Sequence, residues 1–461
     1  MQALVIALLI QIMVVEYLIK SRGLLSPYVI LVPELLSAVA MLVVLVRIMG
    51  GARIAFDWRY GIFLAALLST IVFGYIVQDV PDGAMLAGAR SYLKFLPFFL
   101  LPAVHRFTPR QLHTQLMLLL VLALAQTPLA LYQRFVEFAG AMHTGDPVKG
   151  TLTTSSGLSM LMVTAIAGAV VFYLRGRLRL TALVVLCAWL FLPTTINETK
   201  ATVLLLPVAL LAPVMLMRKT RLLPKLVPIL GVGFLAGTAF VIAYNTLIKN
   251  GEYGGPLGEF FTNTDKIGYY LYTGAANTDQ PYVGRFDSIE IALEYTSQDP
   301  LKLAFGYGAG NVSESFLPEF AGRYSDYFLR FGVGQTQVTT FLWEVGVAGL
   351  LAYLFLFYLV TRDSLTLARS NDPAAHLGQL WTVAMIIMSF GLLYKSVFSM
   401  NDFGYLFWYF SGVVASRAAL LRQSVPKRVA QAPPSWRLAA GEPRPPLKAG
   451  AHSLLFSAPQ R

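Results

Sequence analysis

Long apolar runs follow one another along most of the chain, and each is close to the length of a membrane-crossing helix. A helix needs roughly 20 mostly apolar residues to cross the hydrocarbon core of a bilayer, with a range of about 17–25. The pattern therefore predicts an all-α polytopic membrane protein with about twelve spans. The predicted spans lie near 3–19, 27–48, 60–77, 90–104, 112–132, 157–174, 179–194, 200–217, 226–245, 338–360, 378–397 and 403–420.

Two segments of the chain fall outside these runs. Residues 246–337 separate the ninth span from the tenth, and they are too long for an ordinary connection. We expect them to form a large loop with short helices. Residues 421–461 are basic and rich in proline, and this composition predicts a disordered tail. The chain is thus divided into spans 1–9 (1–245), the loop, spans 10–12 (338–420) and the tail.

The distribution of basic residues predicts which side each loop faces. Cytoplasmic loops carry an excess of Lys and Arg, and here these residues recur in every second loop and in the tail. Both termini are therefore predicted to be cytoplasmic and the 246–337 loop to be extracytoplasmic. Lys20 and Arg22, in the first outer loop, are an exception. An error of one pair of spans would fall within 78–104, where the fourth run is short and contains Lys94 and Pro97.

Composition supports the membrane assignment. The chain is 56% hydrophobic and 13% charged, whereas a soluble domain has about 25% charged residues. This balance excludes a soluble enzyme, a disordered protein and a nucleic-acid-binding domain, and the net charge of +12 is explained mostly by topology. The single cysteine, Cys187, allows no intramolecular disulfide. The five histidines show no metal-ligand spacing, so no metal or cofactor is expected.

Several polar residues lie within the runs or at their ends, where they are costly and are candidates for function. Structural interpretations are also open. Arg90 and Lys94 could simply snorkel to the interface. Glu198 and Lys200 could form a local ion pair, and Glu344 could be a buried packing residue. The candidates are Arg90, Lys94, Glu198, Lys200, Glu344, Lys395, Asn401 and Asp402.

The long loop contains two patterned stretches. From Arg285 to Thr296 the spacing predicts a helix with one apolar face, formed by Phe286, Ile289 and Leu293. A glycine-rich turn follows, in which Gly306, Gly308 and Gly310 alternate with Tyr307 and Ala309. Because no Lys-Ser/Thr pair follows the glycines, a nucleotide-binding loop is not expected.

The order of these motifs resembles the O-antigen ligase and Wzy-type polysaccharide polymerase superfamily over roughly residues 85–400. In that family a loop helix begins with Arg and leads to a Pro-Leu-x-x-x-x-Gly-x-Gly turn. The loop ends in a His-Asn pair followed by Leu, Glu, Gly and Gly. The matching residues here are Arg285, Pro300-Leu301, Gly306-Tyr307-Gly308, the run Phe341 to Gly349, Thr199-Lys200 for the family's Ser-Arg, and Gly150-Thr151-Leu152 for its Gly-Thr-Phe loop.

One position departs from the family pattern. Counting back nine residues from Glu344, the family's His position holds Gln335, and its Asn position holds Thr336. Glutamine cannot accept the proton of an acceptor hydroxyl. Another group would therefore be the base, and the candidates on the outer face are Glu198, Glu314, Glu319 and Asp326.

The resemblance implies a GT-C-like fold and an enzyme of the bacterial inner membrane. Such an enzyme would polymerise or ligate undecaprenyl-diphosphate-linked oligosaccharide repeats at the outer face, for exopolysaccharide, capsule or O-antigen. Its partners would be the lipid-linked glycan, membrane lipids and other polysaccharide assembly or export proteins. Nucleic acid is not among the expected partners.

The resemblance and the chemistry together suggest roles for individual residues. Fixed cations stabilise the negative charge of a leaving diphosphate, and arginine suits phosphate oxygens. We expect catalytic roles for Arg285, Lys200, Gln335 and Glu198, and substrate-binding roles for Arg90, Lys94, Gln337, Tyr324 and Glu344.

Two other functions compete with this interpretation. A flippase or secondary transporter is compatible with the number of spans, although the outer loop is asymmetric and we find no resemblance between the two halves of the chain. A non-catalytic membrane component of a polysaccharide synthesis complex is compatible with the glutamine at position 335.

Overall fold

A computed structural model describes residues 1–139, 147–197, 199–217, 223–247, 258, 262–272, 283–315 and 318–430, and every regular element in these residues is helical. The first seven helices are α1 Gln2–Lys20, α2 Pro27–Met49, α3 Arg59–Val77, α4 Asp82–Leu93, α5 Leu96–Val104, α6 Pro109–Glu137 and α7 Ser155–Leu174. Helix α1 contains a π-helical turn, Gln11–Val15, and α6 ends in another, Gln133–Glu137.

The remaining helices continue the apolar pattern on both sides of the long loop. They are α8 Leu180–Ile196, α9 Ala201–Met215, α10 Leu223–Leu247, α11 Thr264–Tyr272, α12 Arg285–Ser297, α13 Pro300–Phe305, α14 Tyr327–Arg330, α15 Gln337–Ala368, α16 Ala375–Tyr394 and α17 Asn401–Ala430, with a short 3₁₀ turn at Pro318–Phe320.

Local sequence explains where several of these helices begin. Thr108 caps α6 in a capping box with Gln111, since each side chain bonds the backbone of the other. Thr154 caps α7 with one bond, in which its hydroxyl oxygen accepts the Gly157 N–H. The Thr336 hydroxyl accepts the Thr339 N–H at 3.0 Å and caps α15. Thr336 is therefore a helix cap in this chain.

The described residues contain eight helices long and apolar enough to cross a membrane, which makes the chain an α-helical membrane protein. A ninth crossing exists if α4 and α5 are one broken span. Helices α8 and α9 are apolar but shorter, and α17 occupies the position of the twelfth predicted run. Each of the twelve predicted segments is therefore helical, while the count of twelve spans stays a prediction.

The fourth predicted span, 90–104, is not one helix. Helix α4 begins well before it, at Asp82, and the axis bends by 41° between Leu93 and Leu96. Pro97 lies in the first turn of α5, where its missing N–H is tolerated. A proline here could not continue α4 without the loss of a helical hydrogen bond, and this explains the break.

Helix α15 also changes direction, at Gly346. This residue has φ +63° and ψ −167° inside an otherwise regular helix from Gln337 to Ala368. Only glycine adopts such a conformation readily. The break separates the first turns of α15, which pack against the 283–335 segment, from its apolar remainder.

At one end of the helices, contacts join loops that the charge pattern places in the cytoplasm. The Ala55 N–H donates to the Ala103 carbonyl, 3.0 Å away, and so ties the loop after α2 to the end of α5. Arg417 donates to the Asp372 carboxylate at 2.9 Å and to the Phe107 carbonyl at 2.8 Å. These bonds connect α17 to the loops before α16 and before α6.

At the other end, contacts join loops of the opposite predicted side. Arg22 pairs with Glu137 at 2.7 Å, between the end of α1 and the end of α6. Arg323, in the long loop, pairs with Asp79 at 2.9 Å, just after α3. The described part of the long loop thus lies at this end of the helices.

The chain divides into two compact units, 1–420 and 421–461. Of the second unit, residues 421–430 are described and are helical. The disordered tail predicted for 421–461 otherwise concerns residues outside the described part of the chain.

Helix α12 confirms the helix predicted from Arg285, but the three residues of its predicted apolar face differ in burial, since Ile289 packs against the buried residues of the loop and the other two are exposed. Phe286 and Leu293 are about 40% exposed, at 39% and 41%. The buried face is Ser288, Ala292 and Thr296, whose small side chains allow α12 to approach α15 closely. The Ser288 and Thr339 hydroxyl oxygens lie 2.9 Å apart at this contact.

Candidate functional site

A cavity of about 780 Å³ opens where the long loop, the α4–α5 break and the connection between α16 and α17 meet. Its wall combines hydroxyl, amide and charged groups with a set of aromatic rings. The lining residues include Ser91, Tyr92, Phe95, Thr154, Ser313, Glu314, Gln335, Gln337, Thr340, Phe341, Glu344, Tyr353, Lys395, Ser396, Phe398, Ser399 and Trp408.

Glu344 is the buried carboxylate of this wall, with 3% of its surface exposed. The Tyr92 hydroxyl donates to Oε2 at 2.7 Å, and the Ser313 hydroxyl donates to Oε1. The Gly310 N–H donates to the same carboxylate. These three donors fix the position of the Glu344 carboxyl group between α4, the glycine-rich turn and α15.

The predicted glutamines both line the cavity. Gln337, in the first turn of α15, accepts the Phe398 N–H at 3.0 Å and the Ser396 hydroxyl at 3.3 Å. Gln335 lies two residues earlier, just before the helix cap Thr336, and its backbone N–H donates to the Gly332 carbonyl at 3.0 Å. Gln337 therefore holds the α16–α17 connection against α15, while Gln335 faces the cavity.

The acidic residues predicted as candidates for the base differ in their position relative to the cavity. Glu314 is exposed and lines the cavity, next to Ser313. Glu319 is also exposed, but it lies in the 3₁₀ turn, among the described residues that do not line the cavity. Glu198 falls outside the described residues. Of the sequence candidates, Glu314 has the position that a base for a bound hydroxyl requires.

A chain of hydrogen bonds runs beside the cavity from α4 to α1. Lys94 Nζ donates to Asn401 Oδ1, Asn401 Nδ2 donates to Glu16 Oε1, and Lys20 Nζ donates to Glu16 Oε2, each at 2.7 Å. Lys94 also lies 5.0 Å from the centre of the Phe95 ring, and Phe95 lines the cavity. Lys94 is therefore part of the wall's support.

Arg285 begins α12 and bonds the end of α16. Its Nε donates to the Tyr394 carbonyl at 3.0 Å, and its guanidinium carbon lies 4.4 Å from the centre of the Tyr394 ring. Tyr394 directly precedes Lys395, which lines the cavity. Arg285 is not one of the described residues that line the cavity. It lies behind the wall, bonded to the residue that precedes Lys395.

Three other predicted site residues lie away from the cavity wall. Lys200 is buried at the N-cap of α9. Arg90 donates to both carboxylate oxygens of Glu34, with Nε 2.6 Å from Oε2, on an exposed surface. Tyr324 packs against Tyr307 and Tyr327, with ring centres 5.1 and 5.3 Å apart.

The loop tyrosines form a core with Trp343 rather than an open platform. Val312, Val333 and Leu342 are buried with them. Burial, together with the neighbouring tyrosines, raises the pKa of Tyr307 to about 12. Its phenol therefore stays protonated at physiological pH and cannot serve as a base.

The glycine-rich turn is a packing device. A Cβ at Gly306 would lie 2.6 Å from the Trp343 carbonyl oxygen, and one at Gly310 would lie 2.0 Å from the Ala84 carbonyl oxygen. The Tyr307 N–H donates to the Trp343 carbonyl at 2.7 Å. The glycines let the turn sit between α4 and α15.

Sequence reasoning missed several wall residues. Tyr92, Ser396 and Ser399 carry no local signal, because similar residues occur at many helix ends. Glu16 supports the wall through Asn401, and it could have been found as an acid inside the first apolar run. In the described part of the chain, no group of three or more His, Cys, Asp or Glu residues is placed to hold a metal ion.

Comparisons with known proteins give no indication of the chemistry of this site. No family model matches the chain, and no curated protein matches it with significant similarity.

Proposed function

We propose that the chain is a glycosyltransferase-type polysaccharide polymerase or ligase that acts on a polyprenyl-diphosphate-linked glycan. The observation that carries this proposal is the cavity that combines Glu314, Gln335 and Lys395 with an aromatic wall. Sites for small ligands are mostly apolar with a few placed polar groups. A sugar, with apolar ring faces and hydroxyl edges, matches such a wall.

In the proposed reaction, an acceptor hydroxyl oxygen attacks the anomeric carbon of the lipid-linked glycan. The bond between that carbon and the diphosphate oxygen breaks, and polyprenyl diphosphate leaves. Glu314 takes the hydroxyl proton, while Gln335 orients the acceptor by hydrogen bonding. Glu344 is already held by Tyr92 and Ser313, so its role is to position the wall.

Cations near the cavity suit the leaving group. Lys395 lines the cavity, and Arg285 bonds the carbonyl of the residue before it. A fixed positive charge stabilises a developing diphosphate anion, and arginine binds phosphate oxygens well. We assign Lys395 and Arg285 to the diphosphate side of the reaction. We also propose a catalytic role for Lys200, because Thr199-Lys200 matches the Ser-Arg motif of the family that the sequence resembles.

The proposed setting is the bacterial inner membrane, with twelve spans, cytoplasmic termini and the cavity at the outer face. The lipid-linked repeat would arrive there after translocation, and the product would be exopolysaccharide, capsule or O-antigen. Support for this setting comes from the alternation of basic loops and from contacts that group those loops at one end of the helices.

The test is the glycan output of cells that carry Glu314→Gln at the normal protein level. Removal of a general base lowers the rate by about 100-fold or more. We expect loss of long chains and accumulation of single lipid-linked repeats on the outer face. Product is sized by gel electrophoresis, and the lipid-linked repeat is quantified by mass spectrometry with its sidedness probed by an impermeant glycosidase.

Glu319→Gln is the matched control, because Glu319 is also an exposed acid of the same segment and does not line the cavity. It should leave chain length unchanged. Arg285→Ala should also shorten the product. Accumulation of the repeat on the cytoplasmic side would instead indicate a flippase. Unchanged output in both Glu314→Gln and Arg285→Ala would contradict catalysis at this cavity.

A further inference from the structure

A second cavity, of about 370 Å³, lies between α6, α7, α16 and α17. Its described lining is apolar except for His113, Thr164 and Arg177. The Thr164 hydroxyl donates to the Met160 carbonyl at 2.7 Å within its own helix, so this group is satisfied. The cavity therefore presents hydrocarbon surface along its length and basic groups at one end.

The depth of this cavity matches one leaflet of a bilayer. Along α6 it is lined from His113 to Ala123, which corresponds to about 15 Å at about 1.5 Å per residue. The hydrocarbon core of a bilayer is about 30 Å thick. Phe403 and Leu406 of α17 also belong to its lining.

Basic side chains gather at the mouth, where α7 ends and α16 begins. Arg177 is exposed, and Phe172 in the lining packs edge-on against the His376 ring, with centres 5.4 Å apart. Arg175, Arg177 and His113 all lie close enough to His376 for their charges to act on it. Within the described residues, neither Arg175 nor Arg177 pairs with a carboxylate.

We propose that this cavity binds an anionic phospholipid, with the headgroup phosphate at Arg177 and His113 and one acyl chain inside. Arginine suits phosphate oxygens, and anionic headgroups attract basic residues near the membrane surface. Bulk lipid offers the acyl chain an environment as apolar as the cavity lining. The cavity therefore retains a particular lipid only when the charged headgroup is also held. Head and chain sites are therefore used together.

The polyprenyl carrier does not fit this site in the same way. Helix α16 runs from Ala375, near the basic mouth, to Tyr394, which precedes Lys395 in the wall of the first cavity. These ends are about 30 Å apart at about 1.5 Å per residue. A carrier whose diphosphate lies at Lys395 cannot place it at Arg177, so the phosphate at the mouth belongs to a separate lipid. The exclusion of the carrier rests on the proposed function, whereas the lipid site itself rests on the apolar lining and the basic mouth of the second cavity.

The test uses the purified full chain in phosphatidylcholine nanodiscs that contain a trace of phosphatidylglycerol with a photoreactive acyl chain. After illumination, labelled peptides are identified by mass spectrometry. We expect label on the cavity-lining segments of α6 and α7. Arg177→Gln should lower it about fivefold, the factor equivalent to about 1 kcal/mol for one basic residue. Arg53→Gln, an exposed arginine at the same end and outside the described lining, should not.

Filling the cavity separates chain binding from charge binding. Ala165→Phe, or Gly168→Leu if the first variant does not fold, should abolish labelling while the Arg177 charge remains. Folding of each variant is checked by thermal unfolding in phosphatidylcholine alone. Equal labelling by photoreactive phosphatidylcholine, no effect of Arg177→Gln, or labelling that survives both filling variants would overturn the proposal.

Discussion

At the scale of single residues, Glu344 shows how this chain keeps a carboxylate inside a membrane-spanning helix. Burial of a polar group is costly unless the group is hydrogen-bonded. Tyr92, Ser313 and Gly310 supply three donors from two other parts of the chain. The carboxylate therefore also locks α4 and the glycine-rich turn to α15, and this makes it a structural residue of the cavity.

Removal of this carboxylate should destabilise the protein measurably. Glu344→Ala leaves the buried Tyr92 hydroxyl and the half-buried Ser313 hydroxyl without their acceptor, and we expect a loss of about 2–3 kcal/mol in the free energy of unfolding. Tyr92→Phe removes one bond and should cost about 1 kcal/mol. The measurement is thermal unfolding of the purified protein in detergent.

Arg90→Ala is the control for this comparison. Its partner Glu34 lies on the surface, and the arginine side chain is 44% exposed, so the loss should be less than about 1 kcal/mol. If Glu344→Ala unfolds at the same temperature as Arg90→Ala, the bonds to Glu344 do not hold the wall together.

At the scale of elements, the break in α15 and the glycine-rich turn form one unit. A Cβ at Gly346 would lie 2.4 Å from the Ala304 carbonyl oxygen, and one at Gly306 would lie 2.7 Å from the Glu344 carbonyl carbon. Both residues have positive φ, of +63° and +70°. The close approach of two backbones thus positions Glu344, two residues before the break, at the cavity.

Gly346→Ala should therefore disrupt the site through the backbone. This positive-φ conformation costs roughly 1–3 kcal/mol for a residue with a Cβ, and the clash with Ala304 adds about 1–3 kcal/mol. We expect a large fall in unfolding temperature and in folded yield. Gly61→Ala is the control, because nothing lies within 4 Å of its Cβ position and its helix α3 is regular. It should be neutral or slightly stabilising.

The elements also show what the sequence can and cannot predict. Apolar runs predict helices well, because a backbone in lipid must satisfy its own hydrogen bonds. The buried face of α12 was not predictable in the same way. Ser288 is buried because its partner Thr339 is also small and polar, and that partner lies 51 residues further along the chain.

The cavity was predicted only in part, for a related reason. Gln335, Gln337 and Glu344 stood out through family-like spacing or cost in the membrane, and all three line it. Tyr92 did not stand out, since its role depends on Glu344, which is 252 positions away. Arg285 is near the cavity yet bonded to a backbone carbonyl, and spacing alone does not distinguish support from catalysis.

At the scale of the whole molecule, hydrogen bonds between loops sort the helix ends into two groups. Arg362 of α15 donates to Asp57 at 2.8 Å, before α3, in the group that contains Asp372 and Arg417. Asp79 pairs with Arg323 in the opposite group. The positive-inside rule assigns the first group to the cytoplasm. The hydrogen bonds therefore define two groups of helix ends, and labelling at single positions can test which side of the membrane each group faces.

Cysteine accessibility tests this arrangement in intact cells. The only native cysteine, Cys187, is buried at 2% exposure and can be replaced by alanine. Exposed positions then receive single cysteines: Arg53 and Arg106 for the predicted inside, Asp79 and Glu319 for the predicted outside. An impermeant maleimide should label the outer pair directly and the inner pair only after permeabilisation. Loss of the exposed Asp79 pair should cost little stability.

The position after α5 decides how the bent pair crosses the bilayer. If α4 and α5 form one broken span, cysteines at Asp79 and Arg106 label from opposite sides. If they form a re-entrant loop, both label from the same side, and the twelve-span arrangement fails there. We expect opposite sides, because Ala103 at the end of α5 bonds Ala55 in the inner group while α4 begins beside Asp79 in the outer one. A shared side would also move the cavity's access, since Tyr92 and Phe95 line it from this break.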